Sequence, residues 1–203
     1  MATILHIDSS ARQTGSLSRQ LGAELVAKLQ AANPAATVVR RDVAQNPLPH
    51  ITEQLIGAFF TPAEQRNADQ AYAIKTSDAL VDELFAADTI VISTPMYNFS
   101  VASTLKAWID HIARVGRTFQ YGANGPEGLV TGKKVYVVVA SGGVYSSGPA
   151  AGYDHVTTYL AAALGFIGMT DVTFIRAEGV SMGEAAVADA IANARSQIAA
   201  IAG

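Results

Sequence analysis

The sequence predicts an α/β fold in which helices cover both faces of a parallel sheet. Two observations predict it: short apolar runs rich in β-branched residues alternate with amphipathic helical patterns, and the runs are apolar at nearly every position. Alternation predicts parallel pairing through right-handed crossovers, and continuously apolar strands predict a sheet that is buried on both faces. We expect residues 1–203 to form a single domain, since that length suits one such unit.

Five apolar runs are predicted to be strands, and each is followed by a helical pattern. The strands are residues 3–7, 37–40, 89–92, 135–139 and 172–175. The first helix is predicted from leucines at a spacing of four, namely Leu17, Leu21, Leu25 and Leu29. Residues 71–85 repeat this pattern more weakly, and residues 154–167 and 184–201 are Ala-rich helical patterns.

The clearest helical stripe is the third, which consists of Leu105, Trp108, Ile109, Ile112 and Val115. Five strands and five helices of this size predict a doubly wound sheet with strand order 2-1-3-4-5. In such a sheet ligands bind beyond the carboxyl ends of the strands, where the order reverses beside strand 1.

Two segments are longer than ordinary connections between strands and helices. Residues 43–68 carry Leu55, Ile56, Phe59 and Phe60, for which the predicted core has no evident place. Residues 117–133 form a second excursion. Long apolar excursions on a compact domain indicate a partner surface or a cover for a substrate.

Composition excludes several classes of protein. The net charge of −3 gives no basic surface for nucleic acid, and the absence of cysteine excludes disulfides and thiolate chemistry. The longest apolar stretches are shorter than the roughly 18–20 residues of a membrane span. The chain begins directly with a predicted strand and shows no export signal, so we expect a cytoplasmic protein.

The first loop, residues 8–18, is rich in small hydroxylated residues and opens the first helix. It contains Ser9, Ser10, Thr14, Gly15, Ser16 and Ser18. Hydroxyl groups and free backbone N–H groups at a helix N-terminus favour an anion, and one capping residue would not need this many. The loop lacks the motifs of a nucleotide-cleaving or dinucleotide-binding turn. It therefore predicts a cradle for the phosphate of a resident cofactor.

The second loop, residues 95–100, and the third loop, residues 140–149, follow the two strands expected beside strand 1. Met96, Tyr97 and Phe99 are unusually large for a loop, and Asn98 could meet the edge of a planar heterocycle. In the third loop, Ser141 adds a hydroxyl, and Gly142 and Gly143 would let the backbone approach a ligand. An anionic tail at the first loop and a flat ring between the other two describe flavin mononucleotide (FMN), as in flavodoxin-like folds.

Several ordered motifs make the sequence resemble the FMN-dependent NADH-azoreductases, which belong to the flavodoxin-like NAD(P)H:quinone oxidoreductases. They are PMYNF at 95–99, LKAWID at 105–110, GRTF at 116–119 and NGPEGL at 124–129, and the likeness spans essentially the whole chain.

The resemblance implies which residues bind FMN. They are Ser10 and Ser16, Leu17, Ser18 at the phosphate; Met96, Tyr97, Asn98, Phe99 at the ring; and Ser141, Gly142, Gly143, Val144 at its far edge. Some relatives carry Ser-Arg-Gly-Gly and a His in the third loop, where this chain has Gly142 directly after Ser141 and Tyr145 near the His position.

The resemblance also implies ping-pong hydride transfer from NADH to quinones and azo compounds, and a homodimer with each active site at the interface. That assembly would give both excursions a purpose. Phe60, Phe119 and Tyr121 are candidates for the substrate wall, although packing within the chain explains them equally well. No side chain is singled out as a catalytic acid, because the cofactor carries the chemistry and water can supply protons.

Three other functions fit the sequence less well. GVSMG at 179–183 matches the nucleophile elbow of serine hydrolases, but no histidine follows Ser181, which is expected instead to cap the last helix. The four histidines have no metal-ligand spacing; His6 is expected in the core and His111 half exposed. An electron-carrying flavodoxin would be more acidic.

Overall fold

In a computed structural model, which describes residues 2–201, five parallel strands form one sheet with the order β2-β1-β3-β6-β7. Residues 1, 202 and 203 of the expected domain lie outside the described residues. The strands are β1 (Thr3–Asp8), β2 (Thr37–Asp42), β3 (Thr89–Pro95), β6 (Lys134–Ala140) and β7 (Asp171–Ala177). Strands β6 and β7 are the fourth and fifth strands of this sheet along the chain. The order is therefore 2-1-3-4-5, which confirms the predicted topology.

Six α-helices accompany the sheet in the part of the chain that the structure describes. They are α1 (Leu17–Ala32), α2 (Glu53–Phe60), α3 (Ala68–Ala86), α4 (Ser103–Ile112), α5 (Thr157–Phe166) and α6 (Glu184–Ala200). Single 3₁₀ turns occupy Ala63–Gln65 and Ala151–Tyr153. None of the helices within 2–201 is sufficiently long and apolar to span a membrane.

Alternate side chains of each strand enter two separate cores, because successive residues of a strand point to opposite faces. Leu5 and Ile7 pack with α3, α4 and α5 on one face. Ile4 and Val91 pack with α1 and α6 on the other, where Leu21 and Leu25 of the predicted leucine stripe are fully buried. The sheet is therefore covered on both faces, as the apolar strands predicted.

The excursion at 43–68 contains a helix that the sequence did not predict. Helix α2 lies against α3, with Leu55 and Ala58 buried against Ile74 in a small third core. Thr52 caps it by accepting a hydrogen bond from Leu55 N. Ile56 and Phe60 remain exposed, so only part of the apolar material in this excursion is buried within the chain.

The excursion at 117–133 folds into an antiparallel hairpin of β4 (Phe119–Gly122) and β5 (Gly125–Gly128). It is held close to the loop after α5: a Cβ on Gly128 would stand only 2.2 Å from Gly168 N. The end of β5 therefore packs closely against that loop.

Two expectations about α4 were wrong. The helix begins at Ser103, because residues 97–100 form a tight turn, and it ends at Ile112, so Val115 falls outside it. His111 is fully buried instead of half exposed. Its Nε2 donates to Pro49 O at 2.9 Å, which shows that the chain after β2 covers this side of α4.

Candidate functional site

The first loop leaves β1 tied to the neighbouring strand. Ser9 donates to Ser93 O from both its backbone N, at 3.0 Å, and its Oγ, at 3.1 Å. Ser10 is almost fully buried, and its Oγ accepts a hydrogen bond from Arg12 N. Beyond this point residues 11–15 are exposed, so the loop arches outward between Ser10 and the start of α1.

The start of α1 presents unused hydrogen-bond donors. Gln20 N donates to Ser16 O as the first helical bond, so the N–H groups of Leu17, Ser18 and Arg19 have no partner within the helix. Ser16 stands at the N-cap, yet its side chain makes no capping bond. Its Oγ lies 3.3 Å from Ser18 Oγ. These donors and the helix dipole are suited to a phosphate group.

The second loop is a tight turn with two residues in left-handed conformation. Tyr97 and Ser100 exchange backbone hydrogen bonds of 2.9 and 3.0 Å around Asn98, at φ 49°, and Phe99, at φ 69°. Asn tolerates this conformation, but for Phe it costs about 1–2 kcal/mol. A strained residue of this kind requires support from its surroundings.

That support comes from the segment before α5. The ring of Phe99 packs against Tyr153 at 5.2 Å between centroids and edge-on against Tyr145 at 6.1 Å. Its carbonyl accepts a hydrogen bond from His155 N at 3.1 Å. These contacts of Phe99 thus support the turn that follows β3.

The third loop is joined to the connection between β7 and α6. Gly179 N, Val180 N and Ser181 N donate to the carbonyls of the third loop. The carboxylate of Glu178 accepts from Tyr145 N at 2.7 Å and Ser146 N at 2.8 Å, and also from the Ser146 hydroxyl. The third loop is therefore held by one acidic side chain and by backbone groups.

Gly142 has a packing role in addition to the ligand approach expected for it, since it also lines the cavity described below. A Cβ at this position would stand 2.8 Å from Ser181 Oγ, whereas a Cβ on Gly143 would meet the ring of Tyr145 at 3.2 Å. Gly142 therefore allows the third loop to approach the connection between β7 and α6, and Gly143 leaves room for a side chain of the loop itself.

The three loops enclose one cavity of about 540 Å³ at the carboxyl edge of the sheet. It is lined by Ser10, Arg12, Gly15, Ser16, Leu17, Ser18, Pro95, Met96, Tyr97, Ala140, Gly142, Val180, Ser181 and Val187. Seven of the twelve predicted cofactor residues are among them: Ser10, Ser16, Leu17, Ser18, Met96, Tyr97 and Gly142. The cavity is large enough for a mononucleotide.

The other five predicted residues do not line the cavity, although they are close in sequence to Tyr97 or Gly142, which do. Asn98 faces a separate cavity of about 510 Å³ beside Lys106, and Val144 borders another near Met182. Phe99 is half exposed among the tyrosines, and Ser141 is buried, donating to Gly143 O.

Three cavity residues lie outside the three predicted loops: Val180, Ser181 and Val187. Ser181 was expected to cap α6, but Gly183 occupies the N-cap and no side chain caps the helix. The available signal was the strand order itself, since it places the loop after β7 beside the third loop.

The candidate substrate residues lie away from this cavity. Phe60 is 72 % exposed on α2 and borders a groove with Arg66, Arg114 and Arg117. On the hairpin, Tyr121 is also 72 % exposed, and the ring of Phe119 packs against Phe166 at 4.6 Å.

Beneath the first loop lies a buried histidine. His6 Nε2 is 2.9 Å from Ser93 Oγ and 3.6 Å from Asp8, while its Nδ1 has no partner among the described residues. Burial lowers the pKa of His6, so the imidazole is neutral near pH 7. Residues 2–201 contain no cluster of three or more His, Asp or Glu side chains that could hold a metal ion.

Comparison with known proteins identifies the family. A family model described as "Flavodoxin-like fold" matches residues 2–202. The chain belongs to this flavodoxin-like family. It is 56 % identical to an FMN-dependent NADH:quinone oxidoreductase of Herminiimonas arsenicoxydans over 198 residues, which cover 98 % of this chain and 97 % of that one. A protein of the same name from Paraburkholderia phymatum is 56 % identical over 200 residues, covering 98 % and 100 %.

Two solved structures superpose on nearly the whole chain. An azoreductase from Bacillus anthracis str. Sterne superposes with a TM-score of 0.91 at 29 % identity, covering 98 % of this chain and 97 % of that one. An FMN-dependent NADH-azoreductase from Bacillus anthracis str. Ames Ancestor, solved in complex with FMN, gives a TM-score of 0.88 at 22 % identity with full coverage of both chains. The second likeness supports the fold alone.

Proposed function

We propose that this protein is an FMN-dependent oxidoreductase that transfers hydride from NADH to quinones and azo compounds in a ping-pong reaction. One observation carries the proposal: a single cavity at the reversal of strand order joins a polar helix N-terminus to a wall of Met96 and Tyr97. The names of the relatives at 56 % identity support the choice of cofactor, donor and quinone acceptor. The azoreductase at 29 % identity supports azo acceptors.

The residues at the polar end fit a phosphate monoester. The N–H groups of Leu17 and Ser18 have no helical partner, and the Ser16 and Ser10 hydroxyls face the same cavity. Arg12 is the cationic side chain in the cavity wall among the described residues. Neutral donors with one cation suit a phosphate that is held rather than cleaved.

The other end of the cavity fits a planar ring. Met96 and Tyr97 supply apolar surface, and Gly142 allows the third loop to form the opposite wall. We assign contact with the ring to Met96 and Tyr97, and contact with its far edge to Gly142, because these three residues line the cavity. Asn98, Phe99, Ser141, Gly143 and Val144, which the resemblance also implied as ring contacts, belong to the loops that carry those three residues.

When bound, FMN would supply the redox chemistry, accepting a hydride equivalent from NADH and giving it to the acceptor. The chain's own part is to bind and orient. The helix N-terminus fixes the phosphate, and backbone N–H groups near the ring edge would stabilise negative charge there. We assign no side chain as a proton donor.

The working unit proposed here is a homodimer of single-domain subunits in the cytoplasm, with each active site at the interface. Phe60 and Tyr121 are strongly exposed, which supports an interface role, and neither they nor Phe119 lines the cavity of its own chain. In the dimer we place these three side chains in the substrate wall of the partner's cavity.

The test is an absorbance spectrum of the purified protein, recorded anaerobically before and after NADH and again after a quinone. We expect flavin bands that bleach with NADH and return with quinone, which would establish both half-reactions. An azo dye should substitute for the quinone in the second step.

Two results would contradict the proposal. Flavin that NADH alone does not bleach would indicate an electron carrier that depends on a separate reductase. A protein that contains no flavin and binds none when FMN is added would show that the cavity holds a different ligand.

A further inference from the structure

The side chain of Arg19, in the first turn of α1, binds the backbone of the first loop. Its Nε and Nη2 both donate to Ser10 O, at 3.2 and 2.7 Å. On its other side, Nη1 and Nη2 donate to the two carboxylate oxygens of Asp42, at 2.6 and 2.9 Å. The guanidinium thus links α1, the end of β1 and the end of β2 in a fixed fork geometry.

This link lies at the start of an exposed segment that has few contacts of its own. Residues 11–15 are exposed, and within the described chain they make one hydrogen bond, from Arg12 N to Ser10 Oγ. The loop must nevertheless place Ser10 opposite the free N–H groups of Leu17 and Ser18, because both ends border the same cavity. Arg19 joins these two ends directly, since it belongs to the first turn of α1 and holds the carbonyl of Ser10.

The charge of Arg19 is already matched by its surroundings. Asp42 binds it directly and Asp8 lies 3.6 Å from Nη1, so two carboxylates face one guanidinium. Such a cluster provides no net positive charge for attracting a phosphate. The contribution of Arg19 to an anion site must therefore be mainly geometric.

We propose that Arg19 is a positioning residue that sets the first loop for the cofactor phosphate, with Asp42 as its anchor. The inference rests on the proposed function, in which this loop holds the phosphate of FMN. It predicts that Arg19 affects phosphate recognition and leaves recognition of the ring unchanged. Riboflavin, which has the same ring system and no phosphate, separates the two.

The experiment measures the dissociation constants of FMN and riboflavin for the apoprotein by quenching of flavin fluorescence. Arg19→Gln should weaken FMN by about tenfold or more, the scale of a lost charge-assisted hydrogen bond, and change riboflavin by less than about twofold. Arg19→Lys keeps the charge but not the fork and should still weaken FMN by about fivefold. Asp42→Asn, which loosens the anchor, should change FMN in the same direction.

A matched control is available on the opposite side of α1. Arg195 of α6 also binds a carboxylate through two nitrogens, reaching Glu24 of α1 at 2.9 and 2.8 Å, but on an exposed surface. Arg195→Gln should leave both dissociation constants within about twofold of the wild type. Retained riboflavin binding shows that each variant is folded.

The outcomes separate the two proposals. Wild-type protein that binds FMN no more tightly than riboflavin would overturn the assignment of the phosphate to this loop and the role of Arg19 with it. If wild-type protein prefers FMN and Arg19→Gln weakens both flavins equally, or neither, the proposed function stands and the positioning role is wrong. Full recovery by Arg19→Lys would likewise refute a geometric role.

Discussion

The carboxyl edge of the sheet and the surface formed by α2 and the β4–β5 hairpin show opposite uses of aromatic residues. At the edge, Phe99 is held by two tyrosines and a backbone hydrogen bond. On the other surface, Phe60 and Tyr121 project into solvent. In the first region the aromatic ring is packed within the chain, whereas the second leaves apolar area that a further surface could cover.

The largest effect on stability is expected from a substitution that disturbs the packing beneath the carboxyl edge of the sheet. A Cβ on Gly22 of α1 would stand 1.9 Å from Ser93 Oγ and 3.2 Å from His6 Nε2. Because Ser93 lies on a buried strand, Gly22→Ala should reduce the free energy of unfolding by about 3 kcal/mol, measured by urea denaturation.

Gly165→Ala in α5 is the control for this substitution, since its Cβ would meet no atom within 4 Å. It should stabilise the protein by up to about 1 kcal/mol through helix propensity. Equal effects of the two substitutions would show that the contact between α1 and β3 is not restrictive.

The next largest effect is expected at Asp154, which supports the segment that carries Tyr153 and His155. Its buried carboxylate accepts hydrogen bonds from Thr157 N at 2.9 Å, Thr157 Oγ1 at 2.6 Å and Arg176 Nη1 at 2.8 Å. Asp154→Asn should cost about 2 kcal/mol at pH 7, the scale of hydrogen bonds to a charged group. Asp189→Asn, on the exposed side of α6, should change stability little.

The same variant has a defined pH dependence. Burial raises the pKa of Asp154, but hydrogen bonds from Thr157 and Arg176 outweigh it, so the pKa is lowered overall. A carboxylate with a lowered folded-state pKa stabilises the fold above its unfolded value of about 3.9 and loses that contribution as the pH falls through the folded value. The difference between wild type and Asp154→Asn should therefore shrink below about pH 4; a constant difference would contradict this account.

A smaller effect should separate strain from packing at Phe99. Phe99→Ala loses the ring contacts and keeps a Cβ at φ 69°, whereas Phe99→Gly loses the contacts and relieves the strain. We expect Phe99→Gly to be the more stable of the two by about 1 kcal/mol in thermal denaturation. The reverse order would mean that the left-handed backbone at this turn is not strained.

The smallest change in subunit stability is expected on the surface formed by α2 and the β4–β5 hairpin. Phe60→Ser should change the free energy of unfolding by less than about 0.5 kcal/mol at low protein concentration, because the side chain is exposed. If this surface forms the proposed dimer interface, the same variant should dissociate in sedimentation equilibrium while the wild type remains dimeric. A wild type that sediments as a monomer would refute the interface.

Elements could be predicted from the sequence where their own residues show the periodicity of a helix or a strand. The leucines of α1 and the β-branched runs of the sheet are such cases, and their burial confirms the periodicity. Strand β5 is different, since Gly-Pro-Glu-Gly has no strand propensity of its own. Its conformation depends on pairing with β4 and on contact with the loop after α5.

The candidate site likewise contains residues that the local sequence predicts and residues that it does not. The first two loops could be predicted to line the cavity because small hydroxyl residues and large aromatics are unusual where they occur. Ser181 and His111 were misjudged because their surroundings come from distant parts of the chain: the third loop for Ser181 and Pro49 for His111. Local sequence carries no signal for such contacts.

The contribution of Val180, Ser181 and Val187 to the cavity has a consequence for how the site is held together. The first loop and these three residues are far apart in the sequence, so the cavity is complete only while α6 is docked beside α1. A ligand that fills the cavity contacts both parts and should therefore stabilise the docking of α6 by linkage.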